Sequence, residues 1–393
     1  MHVLEKIHER LLAHTDIAFK RYLYDEIDFE DRMIAVTGCR GVGKTTLLLQ
    51  YLKEKGTGIY FSLDHLYFAT NTMLGIIENF YEKGYRTFAL DEVHKYENWS
   101  RELKNIYDSY PDVKLLITSS SALDIMKGSA DLSRRLDTYT LKGLSFREYL
   151  AFENIVSLPA ISLEYLISNH ITIAEEWVLK HPISKLFKAY LKKGYYPFYK
   201  ETGKKYPERV RSIINQVIEV DLPPIFNIDY SSVRQIKKLL GVISEIAPFS
   251  PNIAKLASQL EIPRSRVLLF LDYLDKAGIL NTLKAAQKSE SALTKPDKVF
   301  LNNTNIAEAL SINESNIGTG RESFFMNVVS TRYQVSTPAK GDFMVDNTYV
   351  FEIGGKNKTT HQIYGVPNAY LAKDDIAVGS AHVIPLWLFG FLY

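Results

Sequence analysis

The sequence has one cysteine among its 393 residues, which excludes a disulfide framework within the chain and fits a reducing compartment. It has no apolar run long enough for a spanning helix, and its most apolar segment, VIPLWLFGFLY at 383–393, is too short for one. The first residues lack the apolar core of a signal peptide, and we see no low-complexity tract or internal repeat. The net charge of +2 does not by itself indicate nucleic acid. We therefore expect a cytoplasmic globular protein with no membrane partner.

The clearest motif combines a short apolar run, a glycine-rich loop and a helical segment. Met33–Val36 is of strand type, and apolar periodicity predicts a helix over Thr46–Lys55. Between them, GCRGVGKT at 38–45 fits the P-loop pattern G-x-x-x-x-G-K-[ST] in its expected strand–loop–helix context. Glycines let successive N–H groups converge on a phosphate, and the helix N-terminus adds positive charge. The predicted ATP-binding residues are Gly38, Arg40, Gly41, Val42, Gly43, Lys44, Thr45 and Thr46.

An acidic pair follows at the end of another predicted strand. Thr87–Leu90 is largely apolar and leads directly into Asp91 and Glu92. Behind a P-loop, Lys44 is expected to reach the β- and γ-phosphates, while Thr45 and Asp91 hold Mg²⁺. Glu92 is placed to polarise a water molecule for attack on the γ-phosphate. The pair therefore predicts ATP hydrolysis and not phosphate transfer to a metabolite.

A third predicted strand, Val113–Ile117, ends in a polar run. Thr118 and Ser119 are candidates for contacting the γ-phosphate or the attacking water. The alternative is an ordinary strand-to-helix turn in which a serine caps the next helix. Strands that alternate with helices in this way predict an α/β fold with a parallel sheet and helices on both faces.

Three segments together resemble one group of bacterial and archaeal AAA-type P-loop ATPases: GCRGVGKTTLLLQ, LDEVHKYENWSRELKNIYDSYPDVKLLITSSSALDI and SRRLDTYTLKGLSFREYL. The resemblance implies that Arg135 is an arginine finger, acting on the γ-phosphate of a neighbouring subunit or of its own chain. An action in trans would imply a homo-oligomer. The group commonly has glutamine after the Asp–Glu pair, where this chain has His94.

The middle of the chain is predicted to be helical and to end in a winged helix. Apolar residues recur at helical spacing from about 144 to 240, and the resemblance implies a helical lid there. Ser250 is predicted to cap one helix, and Arg264–Ala277 to form the second helix of a helix-turn-helix. Ile279–Leu283 and Lys298–Leu301 are the expected wing strands. The unit either contacts DNA through its second helix or joins two domains.

The last part of the chain carries three acids with a distinctive order. In the resembled group the ATPase is followed by a restriction-endonuclease-like domain of the PD-(D/E)xK type, and the matching residues here are Glu322, Asp342 and Glu352. They would form a Mg²⁺ site for phosphodiester cleavage. Because Gly354 replaces the lysine of the pattern, Lys356 on the same strand face is expected to supply the ammonium. Alternatively the site binds DNA without cutting, or Glu352 is a solvated strand residue.

These assignments divide the chain into an ATPase domain (1–150), a helical lid or linker (151–240), a winged helix (241–300) and a small α/β nuclease-like domain (301–393). We expect Mg²⁺-dependent ATP hydrolysis coupled to a DNA-directed C-terminal module. The expected cofactors are ATP and Mg²⁺, and the candidate partners are DNA and further copies of the chain. The alternative function is a nucleotide-controlled signalling or scaffolding switch that binds a protein or DNA without cleaving it.

Overall fold

The chain folds into two compact units, Met1–Gly143 and Leu144–Tyr393. This computed structural model describes residues 2–120, 132, 134–285, 294–311 and 317–393, the last range without the side chains of 317–319. Within the described ranges, no helix is both long enough and apolar enough to cross a membrane.

Five parallel strands form the sheet of the first unit, in the order β2-β3-β4-β1-β5. All five residues of β1 are buried and the first four are apolar, as expected when helices cover both faces of a parallel sheet. The predicted α/β class with a P-loop-type parallel sheet is confirmed. The strands are β1 (Met33–Thr37), β2 (Ile59–Ser62), β3 (Thr87–Asp91), β4 (Lys114–Thr118) and β5 (Asp137–Thr140). The helices are α1 (His2–His14), α2 (Lys44–Lys55), α3 (Met73–Glu82) and α4 (Trp99–Ser109).

The order of these strands places three strand ends side by side. β4 pairs with β1 on one side, with Val36 opposite Thr118, and with β3 on the other. Because parallel strands end at the same edge, Thr37, Asp91 and Thr118 come together there. Ligands of open α/β sheets bind at this carboxyl edge.

Helices make up the first part of the second unit, in agreement with the helical periodicity of the sequence. A π-helical segment, Val217–Asp221, joins two of them. The helices are α5 (Phe146–Phe152), α6 (Leu163–Lys180), α7 (Ile183–Lys193), α8 (Tyr199–Thr202), α9 (Tyr206–Gln216), α10 (Leu222–Phe226), α11 (Tyr230–Ile246), α12 (Ile253–Leu260), α13 (Arg264–Lys276) and α14 (Thr304–Leu310).

An antiparallel strand pair follows α11, α12 and α13 in the chain. Its strands are β6 (Leu280–Leu283) and β7 (Lys298–Leu301). One expected detail is wrong, because Ser250 does not cap α12. Instead, the side chain of Asn252 accepts from the N–H of Lys255 at 3.0 Å, so the helix begins two residues later than a cap at 250 would place it.

A second five-stranded sheet belongs to the second unit, with its strands in the order β12-β11-β10-β9-β8. The neighbours β8, β9 and β10 are antiparallel, whereas β10, β11 and β12 are parallel. A helix packs on this sheet through Phe325, whose ring lies 5.0 Å from that of Phe343 and 5.1 Å from that of Phe351. The elements are α15 (Ile317–Val329), β8 (Val335–Ser336), β9 (Phe343–Val345), β10 (Tyr349–Gly354), β11 (Ala369–Lys373) and β12 (Val383–Pro385).

Candidate functional site

The P-loop connects the end of β1 to the start of α2. Its three glycines all have positive φ angles: 143° at Gly38, 85° at Gly41 and 103° at Gly43. At Gly38 a Cβ atom would also overlap the carbonyl oxygen of Leu141, which excludes a larger residue. Val42 is fully buried, and Gly43 is the N-cap of α2. The loop and the first turn of α2 therefore offer backbone N–H groups to an anion.

Lys44 is the first residue of α2, and its side chain is buried against the loop. The ammonium donates to the carbonyl oxygens of Gly38 at 2.7 Å and Cys39 at 3.2 Å. Burial lowers the pKa of Lys44, while the charges of nearby acids, Glu92 first among them, act in the opposite direction. An ammonium whose two acceptors here are neutral carbonyl oxygens is suited to a phosphate as its next partner. Thr46, two residues along the helix, is exposed.

Asp91, at the end of β3, is the centre of a network of hydroxyl groups. The hydroxyls of Thr45 and Tyr60 donate to its Oδ2 at 2.7 and 2.8 Å, and that of Thr118 donates to Oδ1. Asp91 is only 5% exposed, so these donors stand in for water. Burial and then the Asp91 charge raise the pKa of Tyr60. Carboxylate and hydroxyl oxygens are ligands that suit Mg²⁺, and the pair Thr45 and Asp91 fits that ion.

Glu92 directly follows this network and has a left-handed backbone, with φ of 55°. Its N–H donates to the Thr118 hydroxyl at 3.0 Å. Oε2 of its carboxylate lies 3.4 Å from Nε2 of His94 and 3.8 Å from Nη2 of Arg40. Nδ1 of His94 lies 3.2 Å from the hydroxyl of Ser119. The structure thus brings Glu92 together with the P-loop residue Arg40 and with Thr118 at the end of β4, while Ser119, which follows β4, is reached through His94.

Arg135 lies away from this cluster. It precedes β5, whose first residue Asp137 is paired with Ile34 near the start of β1. Its guanidinium makes a bidentate ion pair with Asp108 of α4, at 2.9 and 3.1 Å. The P-loop follows the opposite, carboxyl end of β1, so Arg135 is not placed to contact a phosphate on its own P-loop. Of the two alternatives expected from the sequence, only action on a neighbouring subunit stays a prediction.

Arg21 is a residue of this region that the sequence did not indicate. It is buried, and its Nη1 donates to the carbonyl oxygen of Val42 in the P-loop at 2.5 Å. Nη2 donates to the carbonyl oxygens of Lys142 and Gly143, both at 2.8 Å. The guanidinium therefore ties the P-loop to the segment that follows β5. No motif surrounds Arg21, so only the tertiary fold could identify it.

In the second unit, the three predicted acids lie close to one another and to two lysines. Lys298 of β7 donates to Glu322 and, at 3.2 Å, to Asp342, which also accepts from the N–H of Ile353 at 2.9 Å. Glu352 is 2% exposed. Burial raises the pKa of both Glu322 and Glu352, the facing lysines lower it, and the charge of Asp342 raises it further. Glu352 is therefore a buried residue and not a solvated strand residue.

The lysine beside Glu352 is Lys358, whose Nζ lies 2.5 Å from Oε1 of the acid. Lys356, the expected residue, is exposed. The expectation is wrong because β10 ends at Gly354 and the chain then turns, with the N–H of Lys358 donating to the carbonyl oxygen of Gly355 at 2.9 Å. The side chain of Lys358 folds back over Gly354, where a Cβ atom would overlap it.

The predicted metal site is not formed by these acids in this arrangement. Among the residues that the structure describes, no three His, Cys, Asp or Glu side chains are grouped so that they could hold a metal ion. Lys298 bridges Glu322 and Asp342, and Lys358 pairs with Glu352. Two ammonium groups thus occupy the positions beside the acids that a cation would need.

Sequence profiles match two regions of the chain. Residues 30–150 match a profile described as an AAA domain. These residues form an AAA-type P-loop ATPase domain. Residues 184–317 match a profile described as a domain of unknown function, DUF8612. The AAA match covers the ATPase site, and the second match covers α11, α12, α13 and the β6–β7 pair.

The chain is similar to one known protein by sequence and to solved structures of low sequence identity. An uncharacterized protein of Methanocaldococcus jannaschii is 26% identical over 385 residues, which cover 88% of this chain and 80% of that protein. A Walker-type ATPase of Pyrococcus abyssi has a TM-score of 0.44 and 15% identity, over 74% of this chain and 95% of that one. AMPPCP-bound DnaA from Aquifex aeolicus has a TM-score of 0.26 and 17% identity, over 65% of this chain and 84% of that one.

Proposed function

We propose that the AAA-type domain binds ATP with Mg²⁺ and hydrolyses it. The observation that carries the proposal is the bond between the Thr45 hydroxyl and Asp91 at 2.7 Å, beside a buried Lys44. Lys44 would bind the β- and γ-phosphates through its ammonium. Thr45 and Asp91 would hold Mg²⁺, which supplies positive charge to the phosphate oxygens.

Glu92 would act as the general base of the reaction. Its carboxylate takes a proton from water, and the water oxygen bonds to the γ-phosphorus as the bond to the bridging oxygen of ADP breaks. Two features of the chain support this role. The N–H of Glu92 is bonded to Thr118, and its carboxylate faces the P-loop residue Arg40.

Two substitutions separate binding from hydrolysis. Glu92→Gln should bind ATP at least as tightly as the unmodified chain and lower turnover by about 10²-fold or more, since the amide cannot take the proton. Lys44→Ala should weaken ATP binding itself, whereas Lys55→Ala, at an exposed lysine of the same helix, should leave both unchanged. Calorimetric titration measures the affinity for ATP, and phosphate release measures the turnover. Undiminished turnover by Glu92→Gln would overturn the assignment of the base.

For the C-terminal unit we propose a DNA-directed, nuclease-like module. The acids come from α15 (Glu322), from the residue before β9 (Asp342) and from β10 (Glu352), with Lys358 against Glu352. That order of acids resembles the PD-(D/E)xK pattern. The pairing of the acids with lysines favours the variant of this function in which DNA is bound and not cut. We also propose α11, α12, α13 and the β6–β7 pair as a winged helix, which presents exposed arginines at 264 and 266.

Cleavage and binding are distinguished in one set of experiments. Plasmid DNA is incubated with the protein, ATP and Mg²⁺ or Mn²⁺, beside Glu352→Ala; cleavage that this variant lacks would show a nuclease. Binding of a labelled duplex is followed by fluorescence anisotropy at several salt concentrations, with Arg264→Ala/Arg266→Ala as the variant expected to weaken it. If the protein neither cleaves nor binds DNA, the alternative function is favoured, a nucleotide-controlled switch that acts on a protein.

A further inference from the structure

One arginine belongs to the phosphate-binding loop itself. Arg40 lies between Gly38 and Gly41, and its side chain is 25% exposed. Its Nη2 is 3.8 Å from Oε2 of Glu92, whose side chain is 21% exposed. A residue of the loop that would enclose the phosphates is thus in ionic contact with the acid that would activate water.

Neither of two other arginines, Arg135 and Arg21, is placed to contact the phosphates of a nucleotide bound to the same chain. Arg135 is bound to Asp108 near the opposite edge of the sheet. Arg21 donates to three backbone carbonyl groups and is buried. Arg40 differs from both, because its acidic partner is at the carboxyl edge of the sheet and the contact is long enough to be exchanged.

We propose that Arg40 detects the γ-phosphate of the nucleotide, exchanging its contact with Glu92 for one with the terminal phosphate. The inference rests on the proposed ATP binding. A guanidinium binds phosphate oxygens through paired hydrogen bonds, which are shorter and stronger than an ion pair at 3.8 Å. The exchange removes one of the contacts of the Glu92 carboxylate, which keeps His94 at 3.4 Å, so the base has one cationic neighbour fewer when a triphosphate is bound.

The charges around Lys44 support this role. The Lys44 ammonium donates to the carbonyl oxygens of Gly38 and Cys39, the two residues that precede Arg40 in the loop. The two cations are therefore close enough to repel each other. An anion bound between them would remove that repulsion, and the terminal phosphate carries the most negative charge of the nucleotide.

The test compares the affinities for Mg–ADP and for the non-hydrolysable triphosphate Mg–AMPPCP, measured by calorimetric titration. Arg40→Gln should weaken AMPPCP binding by about tenfold and change ADP binding by less than about twofold. Arg40→Lys should lie between, because an ammonium cannot bind two oxygens side by side. Arg101→Gln, at an exposed arginine of α4, is the matched control and should change neither affinity.

A double-variant cycle tests the exchange itself. Glu92→Gln removes the competing partner, so it should raise the affinity for AMPPCP more in the chain with Arg40 than in Arg40→Gln. Equal effects of Glu92→Gln in both backgrounds, or equal losses of ADP and AMPPCP affinity in Arg40→Gln, would overturn the inference and leave the proposed ATPase intact. If the unmodified chain bound neither nucleotide, the proposed function would fail and this inference with it.

Discussion

Thr118 is the residue on which the arrangement of both acids of the ATPase site depends. It is fully buried at the end of β4. Its hydroxyl donates to Asp91 and accepts from the N–H of Glu92 at 3.0 Å. We predict that Thr118→Val, which keeps the shape and removes the hydroxyl, lowers both the stability of the first unit and ATP turnover.

The magnitude follows from the two lost bonds. A hydrogen bond to a buried carboxylate contributes about 1.5–3 kcal/mol, and an unpaired buried N–H costs about 1–3 kcal/mol. Because the two effects are not additive, we expect Thr118→Val to reduce the free energy of unfolding by about 3 kcal/mol. Thr118→Ser keeps both bonds and loses one methyl group, for a reduction of about 1 kcal/mol.

Urea denaturation followed by circular dichroism gives the two free energies of unfolding, and phosphate release gives the turnover. The valine variant should be about 2 kcal/mol less stable than the serine variant and at least about tenfold slower. Equal stability and equal turnover of the two variants would show that the hydroxyl does not organise the site, and the reasoning would be wrong.

Three further predictions concern charged residues. Lys358→Met should lower the free energy of unfolding by about 1–3 kcal/mol, because buried Glu352 loses its partner; Lys356→Met, at an exposed lysine, should change it by less than about 0.5 kcal/mol. Burial raises the pKa of Asp275 from 3.8 to about 6. The protonated carboxyl group therefore stabilises the folded state fully below pH 3.8, and this stabilisation is lost as the pH rises through about 6. The loss amounts to about 3 kcal/mol, and Asp275→Asn should flatten the urea-derived stability between those pH values. Arg135→Ala, which breaks an exposed ion pair, should cost less than about 1 kcal/mol and leave the turnover of monomeric protein unchanged.

For each of these three predictions, one experimental outcome would contradict the reasoning. Equal effects at the two lysines would remove Lys358 from the acid cluster. A pH dependence that Asp275→Asn leaves unchanged would assign the loss of stability to other acids. A monomer that loses turnover on Arg135→Ala would indicate an action of the arginine within its own chain.

Local patterns were sufficient to predict the ATPase site wherever the chemistry lies within one strand–loop–helix unit. Gly38–Thr45 could be predicted because the glycines and Lys44 lie between an apolar strand and a helix. Asp91 and Glu92 could be predicted because acids that end a buried strand are exceptional. Those residues lie as expected at the carboxyl edge of the parallel sheet.

Other residues could not be predicted, because their positions depend on contacts between distant segments. Arg21 and Tyr60 reach the site from another loop and another strand, and nothing in their neighbouring sequence distinguishes them from ordinary residues. Arg135 was assigned by resemblance, which gave its order in the chain but not the edge of the sheet at which it lies. Lys356 was assigned by extending strand alternation beyond the point where β10 ends.

Gly354 and Lys358 share one volume of space, since a side chain at 354 would overlap that of Lys358. A lysine can therefore come from either position but not from both. Gly354→Lys alone would crowd the site, and Lys358→Ala alone would leave Glu352 without a cation. If the change occurs by single substitutions, the intermediate sequence has lysine at both positions, where the side chains overlap, or at neither. Single substitutions therefore do not readily convert one arrangement into the other. A search for the pattern Glu-x-Lys finds the arrangement with lysine at 354 and misses the one with Lys358.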